Sequence, residues 1–157
     1  MIFLITFIFY FLDTLINNIL MINSFSFFTS YLVFSLLVIV YPLFKYKKNY
    51  FIYTLLISLL FCYSISSLLI NIVSFSFIYL FINTYFKKRK YNLINALFLS
   101  IASFIIYTVF IGIILNINYY ENLEILYIFL PFYKSLLINS IILIITYFII
   151  HKKIKHS

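Results

Sequence analysis

Three clusters of positive charge divide a chain that is otherwise almost uncharged. They hold ten of the eleven basic residues: Lys45, Lys47 and Lys48, then Lys87, Lys88, Arg89 and Lys90, then Lys152, Lys153 and Lys155. Because cytoplasmic loops of membrane proteins carry the excess of lysine and arginine, we expect all three clusters on one side of a membrane. Each apolar stretch between two clusters must then cross an even number of times.

The composition excludes a water-soluble globule. Hydrophobic residues make up 66% of the chain and charged residues only 9%, which leaves too little polar surface to cover a soluble fold. The net charge of +8 would suggest nucleic acid in a soluble protein. Here the cations flank apolar stretches, so we expect the lipid bilayer as the partner and no nucleic acid.

The length of the apolar stretches sets the number of spans, because a helix needs about 20 residues to cross the hydrocarbon core. We predict an all-α integral membrane protein: a compact bundle of about six transmembrane helices, with both termini cytoplasmic. Residues 1–157 form a single transmembrane domain in this prediction. Its spans are residues 2–21, 26–44, 50–66, 69–86, 91–115 and 131–150.

Two boundaries in this prediction leave alternatives. Residues 50–86 are favoured as two crossings, because a single span would place the cluster at 87–90 outside, but a re-entrant hairpin stays open. Residues 1–22 are predicted to be an uncleaved span and not a signal peptide, since they lack a basic start and Asp13 interrupts the apolar run. Glu121 and Glu124 mark an external loop, and Pro131 is predicted to open the sixth helix.

Asp13 is the one acidic residue that this arrangement places inside the bilayer, where an ionisable group is a functional-site hypothesis by default. Thr6, Tyr10, Asp13 and Asn17 are spaced i, i+4, i+7 and i+11, which places them on one helical face. We expect this face to point into the bundle or at a partner. Asp13 is either a ligand or proton site or, as we favour, a packing anchor bonded to another helix.

Small residues recur every four positions along the third span, at Thr54, Ser58, Cys62 and Ser66. This spacing lets helix backbones approach closely, so helix packing is the favoured interpretation. Asn139 lies on the same face of the sixth span as other polar residues and is interpreted in the same way. The chain has no P-loop, no HExxH and no GxSxG, so we expect no enzyme, no catalytic or metal site and no cofactor.

Three stretches carry a resemblance to a known family. FYFLDTLINNI at 9–19 resembles a first span in which an acidic residue follows an apolar run, and 46–81 is similar to a central basic turn followed by a helical hairpin. In that hairpin Thr54, Ser58 and Cys62 stand where the family has a Gly-x-x-x-Gly step and then an acid, which is missing here. Pro131 with Leu136, Leu137 and Asn139 matches a proline followed by Leu-Leu-x-Asn. The chain thus resembles the rod shape-determining MreD family.

The resemblance implies a non-catalytic, multi-pass subunit of the bacterial cell-elongation complex, or elongasome, in the cytoplasmic (inner) membrane. Such a subunit takes part in regulating cell shape and peptidoglycan synthesis through helix contacts with MreC, in one complex with MreB, RodA and a penicillin-binding protein. The hypothetical partner-binding residues are Thr6, Tyr10, Asp13, Asn17, Thr54, Ser58, Cys62 and Asn139. Which partner is contacted directly, and the oligomeric state, stay open.

A different class fits the same number of spans, namely the substrate-binding subunit of an energy-coupling-factor vitamin transporter. In that case Asp13, Asn17, Asn71 and Asn139 would line a ligand pocket. Such a pocket needs convergent polar groups and shaped loops, and this chain has one glycine and no tryptophan. A small pore is disfavoured because no sustained polar face could line it.

Overall fold

The computed structural model describes residues 2–22, 31–60, 65–119 and 125–154, with side chains described for 2–19, 31–60, 68–110 and 136–150. Over these ranges the chain is helical, without a strand, and the prediction of an all-α fold with six helices is confirmed. The helices are α1 (Ile2–Ile22), α2 (Leu32–Val40, followed by a 3₁₀ turn at Tyr41–Leu43), α3 (Lys47–Leu60), α4 (Ile65–Lys88), α5 (Leu93–Tyr119) and α6 (Ile125–Ile154).

The turn between α4 and α5 shows how local chemistry sets helix ends. Lys87 and Lys88 occupy the last turn of α4, where cations interact favourably with the negative end of the helix dipole. Asn92 caps α5, because its side-chain Oδ1 accepts the Asn95 N–H at 2.8 Å. The Asn95 amide in turn donates to the Lys90 carbonyl at 2.8 Å, which closes the turn across the second basic cluster.

The start of α6 differs from the prediction. The helix begins at Ile125, so Pro131 lies inside it and the prediction that Pro131 opens the helix is wrong. A proline inside a helix removes one backbone hydrogen bond and crowds the carbonyl four residues earlier. In a helix of 30 residues that local cost does not stop the apolar sequence 125–130 from continuing the helix. Glu121 and Glu124 lie outside the described residues.

Residues 50–86 fold as two helices that pack antiparallel. The Tyr79 hydroxyl in the second half of α4 donates to the Lys47 carbonyl at the start of α3, at 3.4 Å. The Tyr79 ring lies 4.8 Å from the Phe51 ring and 5.7 Å from the Tyr50 ring, measured between centroids. These contacts exclude one continuous helix. The sequence predicts a polar turn at Ser64, Ser66, Ser67 and Asn71, whereas α4 begins at Ile65 and contains the last three of these residues. Cys62 and Ser64 lie outside the described residues.

Helix α2 is the core of the bundle. It packs against α1, α5 and α6, and none of its nine residues is more than 3% exposed. A helix that is apolar on every side is stable only where other helices surround it. The Phe34 ring, for example, lies 5.1 to 5.9 Å from the rings of Phe75, Phe104 and Tyr107, which joins α2 to both α4 and α5.

A row of rings crosses one end of the bundle, and we call it the aromatic layer: Tyr41, Tyr50, Phe86, Tyr91 and Tyr147. Ring centroids are 5.1 Å apart for Tyr41 and Tyr50, 4.9 Å for Tyr41 and Phe86, 5.2 Å for Phe86 and Tyr91, and 5.5 Å for Tyr91 and Tyr147. The layer therefore joins the 3₁₀ turn, α3, α4, the α4–α5 turn and α6.

The basic clusters lie at the same end of the bundle as the aromatic layer. Lys47 and Lys48 begin α3, Lys87 and Lys88 end α4, and α6 continues from Tyr147 through the segment 152–153. The first turns of α1 reach the same end, because Thr6 Oγ1 lies 2.7 Å from the Tyr53 hydroxyl. Successive helices thus run in alternating directions, with the basic segments gathered at one end of the bundle.

The outer sides of the bundle are apolar. Three described helices are long and apolar enough to cross a membrane by length and composition, over Ile2–Ile19, Leu68–Lys88 and Leu93–Phe110. Many of their exposed side chains are large and hydrophobic, and Phe3, Leu69 and Ile94 are 85%, 72% and 76% exposed. This surface is unsuited to contact with water.

Candidate functional site at the start of helix α2

The first turn of α2 lies inside the bundle, where its backbone needs partners from elsewhere. The first N–H groups of any helix have no acceptor within the helix. Leu32 is fully buried, and the side chain of Tyr31 does not cap the helix. A buried N–H without an acceptor costs about 1–3 kcal/mol. A side chain or an ordered water molecule must therefore accept a hydrogen bond from it.

Asp13 and Asn139 supply these acceptors from two other helices. Asp13 Oδ1 in α1 accepts the Leu32 N–H at 3.1 Å, and Asn139 Oδ1 in α6 accepts the Tyr31 N–H at 3.3 Å. The two side chains are 5% and 7% exposed. We call these two N–H groups and their acceptors the α2 cap. A side-chain acceptor at a helix start is worth about 0.5–2 kcal/mol, and here it also ties α1 and α6 to the core helix.

Further polar groups surround the α2 cap. Ser35 Oγ lies 3.0 Å from Ser100 Oγ in α5 and donates to the Asn139 carbonyl at 3.4 Å. The Tyr107 hydroxyl donates to Asn71 Oδ1 at 3.1 Å, and the Tyr107 ring lies 6.5 Å from that of Tyr31. Polar side chains from α1, α2, α5 and α6 therefore meet around the start of α2, and the Tyr107–Asn71 pair joins α5 to α4 beside Tyr31. In the described part of the chain these side chains are held together by hydrogen bonds within the protein.

The α2 cap lies well below the aromatic layer. A helix rises about 1.5 Å per residue, so the spacing from Leu32 to Tyr41 along α2 places the cap roughly 13 Å from that layer. The spacing from Asn139 to Tyr147 along α6 gives roughly 12 Å by the same rule. Asp13 therefore lies deep in the bundle and not at its end.

The predicted polar face of α1 is only partly directed inward. Thr6 contacts the Tyr53 hydroxyl and Asp13 contacts α2, whereas Tyr10 is 48% exposed. Phe9, which is 2% exposed, lies on the inward face beside Thr6 and Asp13. The reason is geometric, since adjacent residues are rotated by about 100° around a helix and the inward face is centred between Phe9 and Asp13. Asn17 is partly buried.

The small-residue ridge of α3 lies inside the chain. Thr54 and Ser58 are both fully buried, and their hydroxyls donate to the Tyr50 carbonyl at 2.9 Å and the Leu55 carbonyl at 2.7 Å. Hydroxyls satisfied within their own helix leave a smooth surface for close packing. The packing interpretation therefore accounts for Thr54 and Ser58, while Cys62 lies outside the described residues and contact with a partner stays untested.

Sequence reasoning found Asp13 and Asn139 separately but missed that they act together. The groups that they bind are backbone N–H groups, which every residue except proline carries. The identities of Tyr31 and Leu32 therefore do not indicate that their N–H groups donate to Asn139 and Asp13. The available signal was weaker: one acid and one amide in apolar helices, each of which must find a partner. Within the described residues no group of three His, Cys, Asp or Glu side chains could hold a metal ion.

No protein-family model matches the chain, and neither does any curated protein or solved structure with which it was compared. The resemblance to MreD therefore stays a prediction from sequence motifs. The site itself is defined by the chain's own contacts: an acid and an amide that hold the buried start of a core helix.

Proposed function

We propose that this protein is a non-catalytic subunit of the bacterial cell-elongation complex, of the MreD type, acting through helix contacts with partner membrane proteins. It is a multi-pass protein of the cytoplasmic membrane in this proposal, with six crossings and with both termini and the basic clusters in the cytoplasm. The observation that carries the proposal is the arrangement of the helices. They alternate in direction, and the basic segments gather at one end beside the aromatic layer.

Two further features support a membrane location. The cationic segments adjoin the aromatic layer at one end of the bundle, where lysine side chains would meet anionic lipid headgroups. The α2 cap lies roughly 12–13 Å deeper, which is close to the middle of a hydrocarbon core about 30 Å thick. At that depth no water satisfies the start of α2, so an acid and an amide do so.

The outward face of α1 is the surface that this proposal assigns to a partner helix. α1 packs mainly on α2, and a row of apolar side chains at four-residue spacing faces away from the bundle: Phe3, Phe7, Phe11 and Leu15. Helix association in lipid depends on side-chain packing and not on the hydrophobic effect, and the stacked rings of Phe7 and Phe11 offer a second helix a large packing surface. Asp13 would then act on partner binding through the position of α1.

Co-purification with MreC tests the proposal. The tagged chain is co-expressed with MreC and extracted in mild detergent, and we expect MreC in the eluate. Replacing Phe7 and Phe11 with alanine is expected to lower its yield about tenfold, because both side chains are exposed and belong to the partner surface. Asp13→Leu is expected to lower it as well, and shortening the loop that holds Glu121 and Glu124 is expected to change it less.

Each variant is first checked for a single symmetric peak in size-exclusion chromatography, so that lost binding is separated from lost folding. The proposal is contradicted if a well-folded chain retains no MreC, or if the loop deletion and Asp13→Leu lower the yield equally. Depletion of the protein in a rod-shaped cell is expected to make the cell round. Adjacency of its gene to those for MreB and MreC would add independent support.

The vitamin-transporter alternative is favoured by one observation, which is that Asp13 and Asn139 meet at the start of α2, with Asn71 bonded to Tyr107 beside Tyr31. Each of these side chains already accepts a hydrogen bond from within the chain. A ligand would have to replace those bonds, which is why we rank this function second. A vitamin retained through purification, detected by mass spectrometry of the extracted protein, would reverse the order.

A further inference from the structure

The first two basic clusters form one patch, which we call the cationic end: Lys45, Lys47, Lys48, Lys87, Lys88, Arg89 and Lys90. Lys47 Nζ lies 3.6 Å from the centroid of the Tyr41 ring, and the Tyr41 ring is stacked 4.9 Å from that of Phe86, the residue before Lys87. The Tyr41 hydroxyl donates to Asn83 Oδ1 at 3.3 Å, which fixes the ring on α4. The two clusters are thus held together by packed side chains.

The cations of this patch lack acidic partners in the described part of the chain. None of the seven forms an ion pair there. The chain has only three acidic residues. Asp13 is bonded at the α2 cap. Glu121 and Glu124 follow the end of α5 in the sequence, whereas the patch adjoins the start of α5. Lys47 is partly buried, and this desolvation lowers the pKa of its ammonium group. Within the described residues, no acidic side chain balances the charge of this patch.

Apolar side chains adjoin the cations on the sides of the bundle. Tyr46, Leu80 and Ile94 are 61%, 55% and 76% exposed. Tyr46 follows Lys45 in the chain, Leu80 lies about two helical turns before Lys87, and Ile94 lies in the first turn of α5 after Lys90. A soluble phosphate or a nucleic acid would bind the cations and leave these side chains in water. An amphiphile with a negative headgroup satisfies both, because its acyl chains cover the apolar side chains.

We propose that the cationic end binds anionic phospholipid, with the headgroup phosphate between the first two basic clusters and the acyl chains along Leu80 and Ile94. The inference rests on the proposed membrane location. Lys47 is held by the Tyr41 ring through a cation–π contact, which orients it before the lipid arrives. The ammonium groups of Lys47 and Lys87 are the donors that matter most, since Lys47 lies on the Tyr41 ring and Lys87 follows Phe86, the residue stacked on Tyr41, at the end of α4.

The test is lipid retention by the full chain. Protein purified in neutral detergent is mixed with equal amounts of phosphatidylglycerol and phosphatidylcholine, and bound lipid is measured by native mass spectrometry. We expect preferential retention of phosphatidylglycerol. Replacing Lys47 and Lys87 with glutamine is expected to weaken that retention about tenfold, since each cation near an anionic surface contributes measurably to binding. The control variant, Lys152→Gln with Lys153→Gln, removes the same number of charges. It is expected to change phosphatidylglycerol retention less than about twofold, because isolated surface charges contribute little.

Three results would overturn the proposal. Equal retention of the two lipids would show no anionic site. An equal loss in the two paired variants would show that total charge and not this patch binds lipid. Displacement of the lipid by glycerol phosphate or by an oligonucleotide at the same concentration would show that the patch binds soluble phosphate. If one of these occurs while MreC still co-purifies, the lipid site fails and the proposed function does not.

Discussion

Replacing Asp13 with leucine is expected to lower the free energy of unfolding by about 1–3 kcal/mol, the cost of leaving one buried N–H without an acceptor. Asp13 Oδ1 accepts the Leu32 N–H at 3.1 Å at the buried start of α2, and leucine has no acceptor to replace it. Asp13→Asn keeps a side-chain oxygen at the same position and is expected to retain much of the stability. Unfolding in mixed detergent micelles, followed by circular dichroism, gives the difference.

The matched control for this experiment is Thr14→Leu. Thr14 is the next residue in α1, is also polar, and is exposed, with its hydroxyl donating to the Tyr10 carbonyl of its own helix at 2.9 Å. Exposed substitutions of this kind usually change stability by no more than about 0.5 kcal/mol. Equal effects of Asp13→Leu and Thr14→Leu would show that the contact with α2 contributes nothing.

A second large effect is expected from Phe34→Ala, which should lower the free energy of unfolding by about 3 kcal/mol in detergent. Phe34 is 1% exposed and contacts three rings from two other helices. Removal of the ring leaves a cavity between α2, α4 and α5. The loss of stability comes from lost packing contacts, because detergent and lipid tails are as apolar as the core. The same unfolding assay measures it.

Phe3→Ala is the control for the core substitution. Phe3 has the same chemistry but is 85% exposed on the outward face of α1, so its truncation should leave stability within about 0.5 kcal/mol of the parent. A loss with Phe3→Ala as large as with Phe34→Ala would mean that α2 is not the core that its burial indicates.

The helices could be predicted from the sequence because composition and length alone decide them. Long apolar stretches bounded by lysine clusters give helices in any apolar environment, since every backbone group must be bonded internally. Even the end of α4 follows from local signals, with Lys87 and Lys88 in the last turn and Asn92 as the cap of the next helix. The division of residues 50–86 into two helices was predicted because both flanking basic clusters should lie on the same side. The contact of Tyr79 with the start of α3 agrees with two antiparallel helices.

The contacts between distant residues could not be predicted in the same way. Asp13 lies on the first helix and Asn139 on the last, and both accept hydrogen bonds from backbone N–H groups at the start of α2. Because almost every residue carries such an N–H group, the sequence does not show which ones they bind. Of the two directions predicted for the polar face of α1, Thr6 and Asp13 point into the bundle, whereas Tyr10 is exposed and Phe9 is buried beside it. Burial of a ring by neighbouring helices is a tertiary effect that one sequence does not reveal.

Helix lengths show a further limit of reasoning from a fixed span length. In the described residues α2 with its 3₁₀ turn covers Leu32–Leu43 and α3 covers Lys47–Leu60, both shorter than the roughly 20 residues of a typical crossing. The start of α2 is buried by α1 and α6, so its backbone is protected by protein and not by helix length. Residues 23–30, where the predicted second span begins, lie outside the described residues.

Single-cysteine labelling across the membrane tests the six-crossing arrangement most directly. In a Cys62→Ser background, cysteines are placed one at a time at Lys48, Lys88 and Glu121 and treated with a thiol reagent that cannot cross membranes. We predict that Glu121→Cys reacts in intact cells, whereas Lys48→Cys and Lys88→Cys react only after the membrane is opened. Reaction of Lys88→Cys in intact cells, with Lys48→Cys still protected, would place the two basic clusters on opposite sides and contradict the arrangement.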